Sequence, residues 1–240
     1  PGYYANVGSI VNRGFDITLG ADIVTTRDWR WNVSVMGSTL KNKVLKLTDN
    51  GEDIINGVYI IREGQEINTF YMSKSAGVDP TTGEQLYWAY EKNADGSMKP
   101  GSEYVTNDAT VAAGCKYLQG SRIPDIYGSI SSSLKFRGFD LGLLFTYSLG
   151  GKIYDSIYNA MMEPSFVGQT YHRNALRTWT APGQRTDVPR TTTTASTQIT
   201  DRYLVDASYF AVKNISLGYS LPKRLLGKVG IESLRVYLAA

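Results

Sequence analysis

One cysteine and one histidine in 240 residues close off whole classes of function. Cys115 has no partner for a disulfide and reads as a small buried or loop residue. A common structural zinc site needs four sulfur or imidazole ligands, more than the chain holds. His172 lies between Tyr171 and Arg173, and no motif frames Ser165 or any other residue as its nucleophile. No GxSxG, HExxH or P-loop pattern occurs. Asp79, Thr81 and Glu84 around Gly83 lack the carboxylate spacing of a calcium loop and read as a tight Asp-Pro-Thr-Thr-Gly turn. No catalytic residue, metal ligand or cofactor is therefore assigned. Charge of one sign is also missing. The 25 basic and 22 acidic residues are interspersed for a net +3, without the basic stripe that a nucleic-acid partner needs. Nor does any apolar run approach the ~20 residues of a membrane helix.

Aromatic and turn-forming residues are abundant. Seventeen tyrosines stand beside seven phenylalanines and four tryptophans, with 24 glycines, a composition of strands and many turns. Six stretches alternate with period two, the signature of strands. In residues 139–149 the odd positions are Phe139, Leu141, Leu143, Phe145, Tyr147 and Leu149, and the even ones Asp140, Gly142, Leu144, Thr146 and Ser148. Residues 15–23 set Phe15, Ile17, Leu19 and Ile23 against Asp16, Thr18, Gly20 and Asp22. Trp31, Val33 and Val35 follow after a short turn. Ile126, Ile130, Leu134 and Phe136 oppose Tyr127, Ser129, Ser131, Ser133 and Lys135. In residues 208–220 the expected apolar face is Tyr209, Ala211, Ile215, Leu217 and Tyr219, with Lys213 as an exception. After a turn carrying Pro222 and Gly227, Leu234, Val236 and Leu238 alternate with Ser233, Arg235 and Tyr237.

The connections between these strands sort into two kinds. Strands one and two, three and four, and five and six are joined by short turns. The links between two and three and between four and five are far longer. In an up-and-down meander the two kinds fall on opposite sides of the sheet. Outer-membrane barrels sort loops this way, with short periplasmic turns and long extracellular loops, and their strands need ~9–11 tilted residues to cross. Trp29, Trp31, Phe136, Phe139 and Tyr219 fall near the short turns, and Tyr147 and Tyr209 near the long loops, as two girdles would. The expected fold is all-β: a segment of an antiparallel transmembrane β-barrel with short periplasmic turns and long extracellular loops at 41–123 and 151–206. The apolar face then meets outer-membrane lipid. The competing reading is a soluble or surface β-rich carbohydrate-binding or adhesin module whose apolar faces form a sandwich core. PGYYANVG opens the chain and LRVYLAA ends it within an alternating pattern, so it reads as a piece of a longer protein.

Five motifs in order resemble the SusC/RagA family of TonB-dependent transporters. They are NVGSIVNRGFDITLGADIV at 6–24, GVDPTTGEQLYW at 77–88, IPDIYGSISSSLKFRGFDLGLLFTYSLGGKIYDS at 123–156, RTWTAPGQRTDVPR at 177–190 and DASYFAVKNISLGYSLPKRLL at 206–226. The resemblance implies a C-terminal part of a 22-strand barrel, without the plug, the TonB box and the last strands. It implies import of a glycan or peptide across the Gram-negative outer membrane of Bacteroidota. A SusD-like surface lipoprotein and the TonB complex, reached through the missing N-terminal part, are the implied partners. Ala211 stands where the family often carries Arg or Lys.

Bulky polar aromatics on the long loops are the candidate ligand contacts, because such rings stack on sugars or grip peptides: Tyr87, Trp88, Tyr90, Tyr171, Arg173 and Trp179. Residues 153–163 carry apolar side chains at near-helical spacing and are expected to form a short loop helix over the barrel mouth.

Overall fold

The structure, a computed structural model, describes residues 8–47, 51–162, 168, 170–191, 198–227 and 230–240. Asn6 and Val7 of the first motif, Glu163 at the end of the expected helix, and Ser165 lie outside the described residues. In chain order the elements are β1 (Ser9–Thr25), β2 (Trp29–Lys46), β3 (Ile54–Asn56), β4 (Tyr59–Ile61), β5 (Thr69–Val78), β6 (Gln85–Ala89), β7 (Tyr104–Thr106), α1 (Ala109–Gly114) and β8 (Lys116–Ser121). Then come β9 (Ile126–Phe136), β10 (Phe139–Leu149), β11 (Lys152–Tyr154), α2 (Ser156–Met162), β12 (Leu204–Asp206), β13 (Tyr209–Ser220), α3 (Lys223–Leu226) and β14 (Arg235–Ala239). Two compact units result. One holds residues 12–42, 123–151 and 207–240; the other holds 43–122 and 152–206 with the start of the chain.

The first unit is one sheet in the order β1-β2-β9-β10-β13-β14. All six period-two stretches are strands of it. Its register aligns the apolar positions into rows that cross the strands. Trp29 pairs with Phe136, Phe136 with Phe139, and Phe139 with Tyr219. Trp29 stacks on Phe136 with centroids 4.1 Å apart, and Phe139 lies 4.4 Å from Tyr219. This aromatic row sits beside the turns. The next rows on that face are Trp31, Leu134, Leu141, Leu217 and Leu238, then Val33, Ser132, Leu143 and Ile215. Ser132 would strand a hydroxyl among apolar neighbours, and the Trp31 indole N–H donates to it at 3.0 Å.

One local feature departs from strict alternation. Leu144 pairs with Asn214 but Phe145 pairs with Val212, so Lys213 is an extra, unopposed residue in a β-bulge. The bulge changes the parity of everything on its loop side. Val212 and Phe210 join the apolar face, and Phe210 stacks on Phe145 at 5.4 Å. Tyr209 and Ala211, expected on the apolar face, pair with Ser148 and Thr146 and belong to the polar one. A period-two reading carried straight through Lys213 is wrong by one residue beyond it.

Turn chemistry fixes the short connections. Arg137 and Gly138 both have positive φ, 45° and 99°, the backbone that suits a two-residue hairpin in a right-twisted sheet. The Arg137 guanidinium donates to Asp28 at 2.9 and 3.1 Å, which ties this turn to the β1–β2 turn. Further along, Gly128 and Gly37 are paired across β9 and β2. They leave a notch that the Tyr147 ring crosses, its hydroxyl donating to the Met36 carbonyl at 3.1 Å.

The second unit has its own core. β3 to β7 follow one another in a sheet, and β8 pairs with β5. Val44, Ile60, Phe70, Met72, Tyr87 and Ala89 are buried there. A separate cluster of Met162, Val188 and Tyr203 is closed by Tyr154, Tyr158 and Ala175. The expected loop helix is α2, although Lys152–Tyr154 before it is a strand paired with β12.

Candidate functional site

The sheet has two chemically distinct faces, and neither behaves as the inside of a soluble domain. On the apolar face Phe15 is 77% exposed, Leu19 69% and Phe210 63%. Burying one such side chain contributes roughly 1.5–3 kcal/mol. Phe15, Ile17, Leu19, Phe139, Phe210, Val212, Ile215 and Leu217 are each 43–77% exposed, and leaving that surface in water would forfeit about 7–14 kcal/mol. A whole domain is stable by only ~5–15 kcal/mol. A sandwich would lay a second sheet on these rows, and no described residue does so. Lipid removes the deficit.

The opposite face carries Asp16, Thr18 and Asp22 on β1, with Asn32 on β2 donating to Asp22 at 3.0 Å. Across the middle run Asn32, Ser133, Gly142 and Ser216 as consecutive partners. Nearer the turns come Arg30, Lys135 and Asp140, with Arg235 donating to Asp140. Polar, small and charged groups in this order suit water.

The second unit brings together two of the motifs. The GVDPTTGEQ stretch turns at Asp79–Gly83. Asp79 accepts from the Thr81 N–H at 2.7 Å, and the Gly83 N–H donates to the Asp79 carbonyl at 2.8 Å. The Thr81 N–H bond to the carboxylate holds the Asp79 carboxyl below its ordinary value. Gly83 has φ +72° and lies directly against the Trp179 indole, so a Cβ there would collide with the ring. Trp179 donates its indole N–H to the Pro80 carbonyl at 3.0 Å, and the Gly183 N–H reaches the same oxygen at 2.7 Å. Glu84 then accepts from Arg190 at 2.9 Å and from Asn107 at 2.6 Å. The two loops are also joined where the Ser75 N–H donates to Asp201 at 2.7 Å.

These contacts re-sort the candidate ligand residues. Tyr87 is 2% exposed and Tyr90 8%, so both are core residues with no surface to offer a ligand. Alternation along β6 buries Gln85, Tyr87 and Ala89 on one side. Tyr90 donates to the Lys116 carbonyl at 3.0 Å, and burial pushes its phenol pKa up. Trp179 clamps the Asp79–Gly83 turn. Trp88 is half-buried, with the Lys74 ammonium 5.3 Å above its ring. Tyr171 and Arg173 are exposed. His172 between them caps a 3-10 helix at Arg173–Arg177, its Nδ1 accepting the Asn174 N–H at 3.2 Å. Tyr117, which the sequence reading passed over, lies 5.4 Å from the same Lys74 ammonium. Burial raises its pKa, with the Glu103 carboxylate adding to the shift. It lies on β8, whose six residues KYLQGS carry no apolar alternation that could have marked it.

No family model matches the chain. TonB-dependent receptor P3 of Formosa agariphila is 28% identical over 246 residues, which cover 98% of this chain and 24% of that protein. TonB-dependent receptor SusC of Bacteroides thetaiotaomicron is 23% identical over 90% of this chain and 21% of its own length. The structure of the RagAB peptide transporter superposes with a TM-score of 0.83 at 28% identity, over 98% of this chain and 26% of that one. Its 'open-open' state gives 0.78. The chain thus spans about a quarter of the length of the relatives it matches. With the uncovered apolar face and the sorted connections, the class follows: the six-stranded sheet is a piece of a transmembrane β-barrel of the TonB-dependent receptors. Within that class the chain is similar to segments of SusC and of the RagAB transporter, the SusC/RagA resemblance that its five motifs carry.

Proposed function

We propose that the protein containing this segment imports a large nutrient, a glycan or a peptide, across the outer membrane of a Gram-negative bacterium. Import is driven through TonB, and a SusD-like surface lipoprotein works with the barrel. The observation that carries this reading is the uncovered apolar face of the sheet, in a chain alignable over 98% of its length with the RagAB peptide transporter. Residues 41–123 and 151–206 are the extracellular loops, and 1–240 as a whole belongs to the barrel domain. Trp88, Tyr171 and Arg173 are the loop residues that meet cargo or the lipoprotein; Tyr87, Tyr90 and Trp179 hold the loops in shape. The segment performs no covalent chemistry.

A clean deletion of the gene tests this. The deletion strain is expected to lose growth on one class of polymer, peptide or glycan, and to regain it with the intact gene. The protein is expected in the outer-membrane fraction. Recovery of the full-length protein in a soluble fraction without detergent would overturn the reading in favour of a secreted β-rich binder.

A further inference from the structure

On its loop side the apolar face of the sheet ends in two cations. Asn42 on β2 donates to Asn12 on β1 at 2.6 Å, and Asn32 donates to Asp22 at 3.0 Å. Both contacts fit one antiparallel register, in which each step along β1 is one step back along β2. Phe15 faces Thr39 in that register, and the Phe15 N–H donates to the Thr39 hydroxyl at 3.1 Å. Arg13 therefore stands opposite Lys41. Alternation puts both on the side of Phe15, Ile17 and Val35, away from Asn12 and Asn42. Asn42 is buried, whereas Arg13 and Lys41 are exposed. Among the described residues neither makes an ion pair. Like charges directly opposite one another destabilise a sheet, and an anion between them reverses the sign.

Height decides which anion. Lys41 lies about twelve residues along β2 from Trp29, which at ~3.3 Å per residue and a ~45° tilt is about 28 Å. The apolar band of a barrel is ~25 Å tall. With Trp29 at one interface, the Arg13–Lys41 pair falls just past the other, among lipid headgroups. The turn end of the same face is different: its row is Trp29, Phe136, Phe139 and Tyr219, without a charge.

We propose that Arg13 and Lys41 bind the phosphate of a lipid headgroup in the leaflet on the loop side. A guanidinium offers a phosphate two parallel N–H bonds, and the ammonium beside it adds a second positive charge. Cations at the membrane surface draw anionic lipids in this way. Continuity with the apolar rows selects a lipid over a soluble anion: Phe15, Ile17 and Val35 lie directly below and take its acyl chains. The site is on the outer wall of the sheet, apart from the loop residues that meet cargo. The inference rests on the barrel reading, which makes this face the one that meets lipid.

The test refolds the full-length protein into phosphatidylcholine vesicles, alone or with a minor share of bisphosphorylated lipid A, and titrates it with urea. Gel mobility that changes on heating, the mark of a folded barrel, is the readout. Bisphosphorylated lipid A is expected to raise the folded-to-unfolded ratio roughly 30-fold, the combined effect of two basic residues at an anionic surface. Lipid A stripped of its phosphates is expected to leave it unchanged. The double variant Arg13→Gln, Lys41→Gln should match wild type in phosphatidylcholine alone and lose most of the lipid A effect. Arg30→Gln with Lys135→Gln, on the wet face, should keep it. In the wild-type protein the same lipid should slow acylation of the Lys41 Nζ several-fold, read by peptide mass spectrometry, and leave Lys99 of the loops unchanged; this measurement needs no variant to fold. An equal lipid A response in wild type and the Arg13, Lys41 variant overturns the proposal. So does unchanged acylation of Lys41, or an equal effect of the stripped lipid. Inorganic phosphate acting as well with plain vesicles overturns it in favour of a small-anion site, and protection of Lys41 only by an added SusD-like lipoprotein overturns it in favour of a protein contact. A protein without heat-modifiable mobility overturns the barrel reading itself, which separates the two failures.

Discussion

Placing an arginine at Leu143 and, separately, at Leu144 sets lipid against water within one peptide bond. β10 has eleven residues, and at ~3.3 Å per residue with a ~45° tilt it spans about 25 Å, the height of a barrel's apolar band. Leu144 is the central residue and Leu143 its neighbour. Leu143 lies in the apolar row with Val33, Ser132 and Ile215; Leu144 pairs with Ser131 and Asn214 on the wet face. An arginine facing lipid near the midplane costs about 2–4 kcal/mol. At tenfold per 1.4 kcal/mol this shifts the folding equilibrium roughly 30- to 1,000-fold. An arginine at Leu144 enters water and is expected within about 0.5 kcal/mol of wild type, as surface changes usually are. The assay is urea-titrated folding of the full-length protein into lipid vesicles, read by heat-modifiable gel mobility. Equal costs at the two positions, or a larger one at Leu144, would refute the assignment of faces and with it the membrane argument.

Three further outcomes are expected. Gly128→Ala puts a Cβ into the Met36 carbonyl oxygen and 2.7 Å from the Tyr147 hydroxyl; it is expected to destabilise the barrel in the same titration by more than Tyr147→Phe, which loses one hydrogen bond worth ~0.5–1.5 kcal/mol. Trp179→Ala removes the ring covering Gly83 and the bond to Pro80, so protease cleavage between residues 77 and 88 is expected to rise severalfold while vesicle insertion stays unchanged. The Asp79 turn is expected to respond to acid. A carboxyl depressed in the folded state stabilises above its ordinary value of 3.8 and loses that effect as pH falls through the folded value. Trp179 emission, isolated by replacing the other tryptophans with Phe, should therefore change below about pH 4 and lose that change in Asp79→Asn.

The amino-acid sequence by itself determined the six membrane strands, because alternation is a local property and lipid on one face with water on the other enforces it along every strand. The Arg137-Gly138 turn and the girdle residues Trp29, Phe136, Phe139 and Tyr219 were legible for the same reason. The bulge at Lys213 was visible only as an exception, since a parity change needs the partner strand to show which residue is left unopposed. In the loops only the Asp79–Gly83 turn and the helix α2 were legible. Strands of three to five residues such as β3, β6 and β7 are too short for a periodic signal. An exposed tyrosine and a core tyrosine look alike there: Tyr87 is buried by β-alternation within β6, while Tyr171 stays exposed. Trp179 reaches Pro80 from 99 positions away, and Glu84 meets Arg190 from 106. Only the tertiary structure decided those pairings, because the burial of a loop side chain depends on which distant segment the chain returns beside it.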